Sequence, residues 1–558
     1  KGWTPNLMAD AIFDTHLFKP ITDKIRQVDH HGGYTAGAGH AFYTARAYPQ
    51  AWWNRIAFVC GPTGHLIGAF LVSPKGASFA DTSPFNLLAS DDEWSAPIMA
   101  EVGPDGQMWV IDWYNYIVQH NPTPQGFKTG KGNAYESDLR DKTHGRIYRV
   151  VYDEAKPEST AVPKLATDQP SALVAALQHS NRLWRRHAQR LLVERGKTDV
   201  VPELIELVAD KQVDEIGLNV GAIHALWTLK GLGVLDSASS EAFAAAAAAL
   251  HHPSAGVRRN AALVLPSSKE AVAALAEAKL LNDDQPQVRL AALMALADMP
   301  EDAAAGKLLA AAARDNANML DRWLKEGIIC AGATQAAPLL SALLTQTTAN
   351  ESGRKASDEG SGAASAQLEI GSVLAEHLAR SKPTTAQLSS LLASLAEGDV
   401  AMAEAIVSGL AQGWPRDFKP ELTPETEKQL DALVAKLPLG SRGQLVTLAS
   451  NWGSKKLQKY AAEILAGLNE KLNNSELKVD DRLEAVQQLM QLSGGSDEVV
   501  EQLIDMLTPQ NPPQLASGIV RALSASRSER FVSTWYVCQL AAFMTSTTRA
   551  MYSSGTSA

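Results

Sequence analysis

Between His40 and Tyr152 the apolar residues come in short runs parted by turn formers, the pattern of successive β-strands. His40–Thr44, Ile56–Cys60 and His65–Val72 are separated by a Tyr48-Pro49 turn and by Gly61-Pro-Thr-Gly64. Pro97–Val102, Met108–Trp113 and Arg146–Tyr152 follow, the first two joined by Pro104-Asp105-Gly106. There proline presets φ, and Asp-Gly accepts the left-handed geometry of a tight hairpin. The pattern predicts two adjacent antiparallel sheets over residues 38–152, each of three or more strands. A strand, a tight turn, a second strand, a long decorated excursion and a third strand is the reading of a β-propeller blade carrying an insertion. In that topology His40, the Ala89–Ala96 approach and the 112–144 excursion share one face. Residues 1–37 are ambiguous, with Ile25–Val28 as a short strand and Asp29-His-His-Gly-Gly33 as loop.

From residue 169 the period becomes helical. Trp184-Arg-Arg-His-Ala188 recurs as Ala225-Leu-Trp-Thr-Leu229, then as Val257-Arg-Arg-Asn-Ala261 and Val288-Arg-Leu-Ala-Ala292. The alanines at 188, 225, 261 and 292 are spaced 37, 36 and 31 residues apart, close to the helix-pair period of HEAT-like arrays. A small alanine lets two helices approach, while each Val-Arg pair points an apolar knob inward and a charge outward. A fifth unit falls near Trp323–Ala331, and similar helices continue from Gln367 to about Ser526. The fold class expected is multidomain β + α: the closing blades of a partial β-propeller over 1–152, a Pro- and charge-rich linker over 153–168, and an α-helical HEAT-like solenoid over 169–528. Within the solenoid, 350–366 reads as a flexible polar loop. Residues 529–558 lose the repeat and read as an aberrant tail. Lys1 follows no signal-peptide pattern, so the chain is expected to be an internal fragment of a longer exported protein.

Composition narrows the function classes. At 558 residues the chain needs at least two cores. A net charge of −10 argues against a nucleic-acid partner, whose backbone demands clustered Lys and Arg. The basic run Arg182–His187 reads as a solvated or inter-repeat face. No run of eighteen apolar residues is present, so no transmembrane segment is expected. Cys60, Cys330 and Cys538 are too scattered for a disulfide framework or a metal cluster, and no C-x-x-C-H, the haem c attachment motif, occurs.

The excursion holds the candidate chemistry. Asp112, Tyr114, Asn115, Gln119 and Asn121 are candidates to bind substrate or cofactor, and Asp, Asn and backbone carbonyls at a strand end suit Ca2+, which prefers several oxygens. The competing reading makes Trp113 and Tyr114 blade packing, with Asp112 and Asn121 satisfying turn backbone. His30, His31 and His40 form only a weak metal signal, without matching carboxylates. Arg140, Lys142, His144 and Arg146 make a basic end to the excursion, which pairing with Asp138 and Asp141 explains equally well. His224 and Trp227 sit within the repeat pattern and read as packing. Gly37-Ala-Gly39 lacks the Lys-Ser/Thr of a phosphate loop.

The stretch DEWSAPIMAEVGPDGQMWVIDWYNYIVQHNPTP, followed by GKGNAYESDLRDKTHGRIYRVVY, resembles the planctomycete-type membrane-bound dehydrogenases. These are large secreted proteins with a glucose/sorbosone-dehydrogenase-like propeller, HEAT-type repeats and usually a c-type haem domain. Upstream the likeness continues through DHHGGYTAGAGHAFYTARAYPQAWWNRIAFVCGPTGHLIGAFLV; it is strong over residues 28–152 and looser in the helices. It implies a periplasmic or extracellular, membrane-associated parent that oxidises a sugar or alcohol, with pyrroloquinoline quinone and Ca2+ as cofactors. Electrons would pass to a cytochrome domain absent from this chain. His120 or His40 is then the general base for the hydroxyl proton, and Arg140 and Arg146 hold the quinone carboxylates. The rival expectation is a non-catalytic propeller and solenoid that binds carbohydrate or protein, a protein partner docking on the HEAT surface.

Overall fold

Four strands pair in chain order: β1 (Ala38–Phe42), β2 (Ile56–Gly61), β3 (Leu66–Lys75) and β4 (Ser78–Ala89), all antiparallel. A second antiparallel sheet holds β5 (Pro97–Val102), β6 (Met108–Asp112) and β7 (Arg146–Val150). The computed structural model describes residues 19–22, 34, 37–116, 125–126, 128, 143–156, 160–345, 358–493, 496–508 and 511–526. Two adjacent open sheets are therefore present where the strand pattern predicts them. The fourth strand of the first sheet has no counterpart in that pattern. β4 carries polar residues and Pro84, which cannot donate to a ladder, so its sequence does not read as a strand. An edge position tolerates both, and the pairing slips at this point, from Ala69 opposite Phe85 to Leu71 opposite Thr82.

The sheets share one core. Phe58, Cys60, Ile67 and Ala69 of the first meet Ala100, Val102, Met108 and Val110 of the second, with Tyr43 and Tyr48 stacked between them at 4.6 Å. Strand periodicity produces this: in β6, Met108, Val110 and Asp112 point inward while Trp109 and Ile111 point out. β1 lies directly beside β5. Gly39 (φ +45°) is the contact point, and a Cβ there would sit 2.4 Å from the Ile98 carbonyl oxygen, so no larger residue fits.

The sheets have two distinct ends. The Gly61–His65 turn, the 89–96 link and both stems of the β6–β7 excursion gather at one. The β3–β4 hairpin and the β5–β6 turn lie at the other, and there the helices attach. α1 (Pro170–Ala176), α2 (Arg182–Arg195), α3 (Val201–Ala209), α4 (Val220–Gly231), α5 (Glu241–Ala248), α6 (Ala255–Val264), α7 (Lys269–Glu277) and α8 (Pro286–Ala297) follow in sequence. α2, α4, α6 and α8 pack one on the next, and Ala188, Ala225, Ala261 and Ala292 sit at those contacts, each 1% exposed or less.

Asn181 fixes the junction. It is fully buried; its Oδ1 caps α2 by accepting from Leu183 N (2.9 Å), and its Nδ2 donates to the Gly103 carbonyl (2.8 Å). Trp184 Nε1 donates to the Pro104 carbonyl (2.7 Å), and Arg182 N to the Thr44 carbonyl (3.1 Å). Arg46 adds an ion pair to Asp214 at 2.9 Å. In consequence the sheets and the first helices form one compact unit, Lys1–Met299, and the second unit, Pro300–Ala558, starts inside the helical region. In that second unit the same layering recurs: Ala303–Ala313 packs on Ala336–Leu344, and Asp358–Arg380 on Val400–Gly413. The helix Asp358–Arg380 begins within the segment 350–366 expected to be a loop. Its alanines favour helix despite the Ser and Gly content, and Asp358 and Glu359 suit the positive end of the helix dipole. Among the described residues no single helix is long and apolar enough to cross a membrane. The segment 529–558 lies outside the described residues.

Asn181→Asp keeps the cap and loses the donor to Gly103, whereas Asn181→Ala loses both. Urea denaturation is expected to show losses of about 1–3 and about 2–4 kcal/mol respectively. On α4, His224 Nδ1 shares a 2.7 Å hydrogen bond with Gln189 Oε1. Burial first, then the charges of Arg185, Arg182 and Arg186, push its pKa from 6.5 down to about 3. Between those values the unfolded chain holds a proton that the folded one does not, so stability falls as pH drops through that window. A His224→Gln variant is expected to escape about 2 kcal/mol of the loss between pH 6.5 and 4.5, measured by denaturation at each pH.

Candidate functional site

Asp112 ends β6 on an inward position, so its carboxylate is buried and needs donors. It has four. Oδ1 accepts from Ala96 N (2.6 Å) and Tyr114 N (2.9 Å), and Oδ2 accepts from Ser95 Oγ and Tyr148 Oη (both 3.3 Å). The bond to Tyr114 N closes a side-chain turn that holds Tyr114 at φ +52°, a backbone conformation a tyrosine rarely adopts. The next bond along the ladder, Trp113 N to the Ala96 carbonyl (2.9 Å), ties the stem of the excursion to the 89–96 link again.

Arg146 faces Asp112 across the β6–β7 ladder. Its guanidinium lies 3.5 Å from the Tyr114 ring centroid, and Nη1 donates to Tyr148 Oη (3.1 Å) and Asp92 Oδ2 (3.3 Å). The other oxygen of Asp92 accepts from Trp94 N (3.0 Å), which sets the Trp94 ring 5.9 Å from Tyr114 and 5.3 Å from Tyr116. Both stems of the excursion thus open onto a half-buried surface of Trp94, Tyr114 and Tyr116 beside one guanidinium. His65, buried with φ +56°, backs this end through a 2.5 Å hydrogen bond between Nδ1 and the Ser95 carbonyl.

The structure therefore brings together Asp112, Tyr114 and Arg146 of the residues singled out from sequence, with Asn115 buried alongside. His40 stands elsewhere. It is exposed on β1 and lines a groove with Glu101, which lies four residues along β5 from the Asp112 end, about 13 Å at strand rise. His30, His31, Gln119, His120, Asn121 and Arg140 lie outside the described residues. Asp92, Trp94, Ser95, His65 and Tyr148 have no place in the sequence-based set. Asp92-Glu-Trp-Ser95 precedes β5 directly, and its crowding of polar and aromatic side chains ahead of a strand is the signal that points to it.

Calcium does not fit at Asp112. Neutral donors already occupy both carboxylate oxygens, and among the described residues no three His, Cys, Asp or Glu side chains converge. Of the two arginines expected to hold a quinone, Arg146 is engaged by Asp92 and Tyr148, while Arg140 is not among the described residues. Cys60 is fully buried in the core shared by the sheets, and that burial pushes its thiol up to about 12.

Residues 7–154 match a domain of unknown function, DUF7133. The match takes in both sheets and ends just after β7, leaving the helices outside it. No curated protein matches the chain.

If Asp112 holds the stems together, Asp112→Asn is expected to lower stability by about 2–4 kcal/mol, because an amide accepts at one atom only and leaves buried donors unpaired. Guanidinium denaturation measures it. An unchanged midpoint would mean the carboxylate is free to serve a ligand.

Proposed function

We propose that the sheets contribute the sugar- or alcohol-binding blades of an exported, quinoprotein-like dehydrogenase. The observation that carries this reading is the Trp94–Tyr114–Tyr116 surface with Arg146 at the mouth of the excursion. Aromatic faces beside a few fixed polar groups are how proteins hold polyols, whose C–H faces stack while their hydroxyls hydrogen-bond. Propeller packing is supported by β1 lying against β5 as neighbouring inner strands do, and by the outer face of the second sheet, where Ile111 and Ile147 are 46% and 71% exposed. An adjoining blade would cover such a face. The resemblance supplies the rest: a quinone as the electron acceptor, haem c beyond it, and His120 as the general base.

The second reading, a binding module without turnover, is favoured by Asp112, whose hydrogen bonds leave it a structural carboxylate. Dye-linked oxidation by the full-length parent protein over a panel of sugars and alcohols separates the two. Turnover is expected, lost by about 10²-fold or more in His120→Ala. Trp94→Ala is expected to raise KM by about 3–10-fold with melting unchanged. Calorimetric binding that depends on Trp94, without oxidation, would leave the binding module; neither binding nor oxidation would end both.

A further inference from the structure

A groove of about 930 Å³ lies between strands β1 and β5 and the first helices, away from the Trp94 surface. His40 and Glu101 line its sheet side, and Arg182, Arg186 and Arg190 of α2 with Lys230 of α4 line the other. Four permanent cations thus face one carboxylate, in a chain whose net charge is −10. They are poorly compensated: among the described residues neither Arg182 nor Arg186 has an ion-pair partner. Arg190 holds only the exposed Glu194 at 3.4 Å, and Lys230 caps the Leu263 carbonyl at 2.8 Å.

The spacing is regular. Arginines at every fourth position of a helix repeat at about 6 Å, so the three make a ladder about 12 Å long. A lone phosphate cannot span it. In an extended peptide, alternate side chains on one side repeat at about 6.6 Å, which matches the ladder over three residues. The intervening side chains would meet Phe42, half exposed, and Val193 on the walls. Nucleic acid needs a longer cationic track than this on so acidic a protein.

We propose that this groove binds an acidic peptide segment of a partner protein in extended conformation, with alternate Asp or Glu side chains on Arg182, Arg186 and Arg190. The electrostatics agree. Desolvation, then the Arg186 charge, pulls the Arg182 pKa below its ordinary value, so a carboxylate here relieves repulsion already present. This site is independent of the sugar-binding reading.

Fluorescence anisotropy of a labelled Asp-Val-Asp-Val-Asp-Val-Asp peptide with the 558-residue chain tests it. Saturable binding that weakens with added NaCl is expected, and Arg182→Glu with Arg186→Glu should lower affinity by about 10-fold or more. Arg322→Glu, an exposed arginine of the second unit, should leave it unchanged. Melting curves confirm folding, and Arg182→Ala alone, with a smaller loss expected, replaces the double variant if that fails to fold. Absence of binding, equal loss in Arg322→Glu, or equal binding of an uncharged Asn-Val-Asn-Val-Asn-Val-Asn peptide would overturn the proposal. So would a groove taken by inorganic phosphate or a sulfated glycan and not by the peptide.

Discussion

Much of the first unit hangs on the carbonyls of one tight turn. Gly103 and Pro104 sit where β5 reverses into β6, and their oxygens point out of the sheet. Asn181 and Trp184 take them up from the first turn of α2. One side chain, Asn181, both starts a helix and fastens that helix to a strand reversal. Because its donor and its acceptor are both used in a fully buried place, neither half of the bond exchanges readily for water. α2 is thereby set against the sheets, and the stacking of α4, α6 and α8 continues from it.

The helical region was legible because its signal is redundant. A small residue at every inter-helix contact is required wherever the repeat stacks, so four spaced alanines report one geometry four times. The sheets were legible at their turns, where Asp105-Gly106 and Pro62-Thr-Gly64 leave little choice of backbone. β4 was not legible, since an edge strand relaxes the very preferences by which strands are recognised. The extent of the first compact unit was equally hidden: Asn181 reads as an ordinary cap, and its second bond exists only once Gly103 is in place.

The site was legible as a region and less so as chemistry. Crowded polar and aromatic residues between Asp112 and Arg146 drew attention to the end of the sheets where Tyr114 and Arg146 meet. Asp112 stood out for being a carboxylate at a strand end, yet its inward register gives it work inside the fold, the reading that competes with a ligand site. Grouping His40 with it followed from propeller topology at the level of strand ends. Two residues of advance along β1 take His40 away from that end and into the groove with Glu101.

Tyr114 carries a further meaning. Its left-handed backbone is held by the same Asp112 carboxylate that grips Ala96 and Tyr148, so the outgoing stem, the preceding link and the returning strand share a single anchor. Three segments tethered at one carboxylate are coupled: a displacement of any one strains the hydrogen bonds that hold the other two. A guest large enough to lift the excursion would therefore be felt in the 89–96 link and, through Ser95, at His65 in the neighbouring sheet.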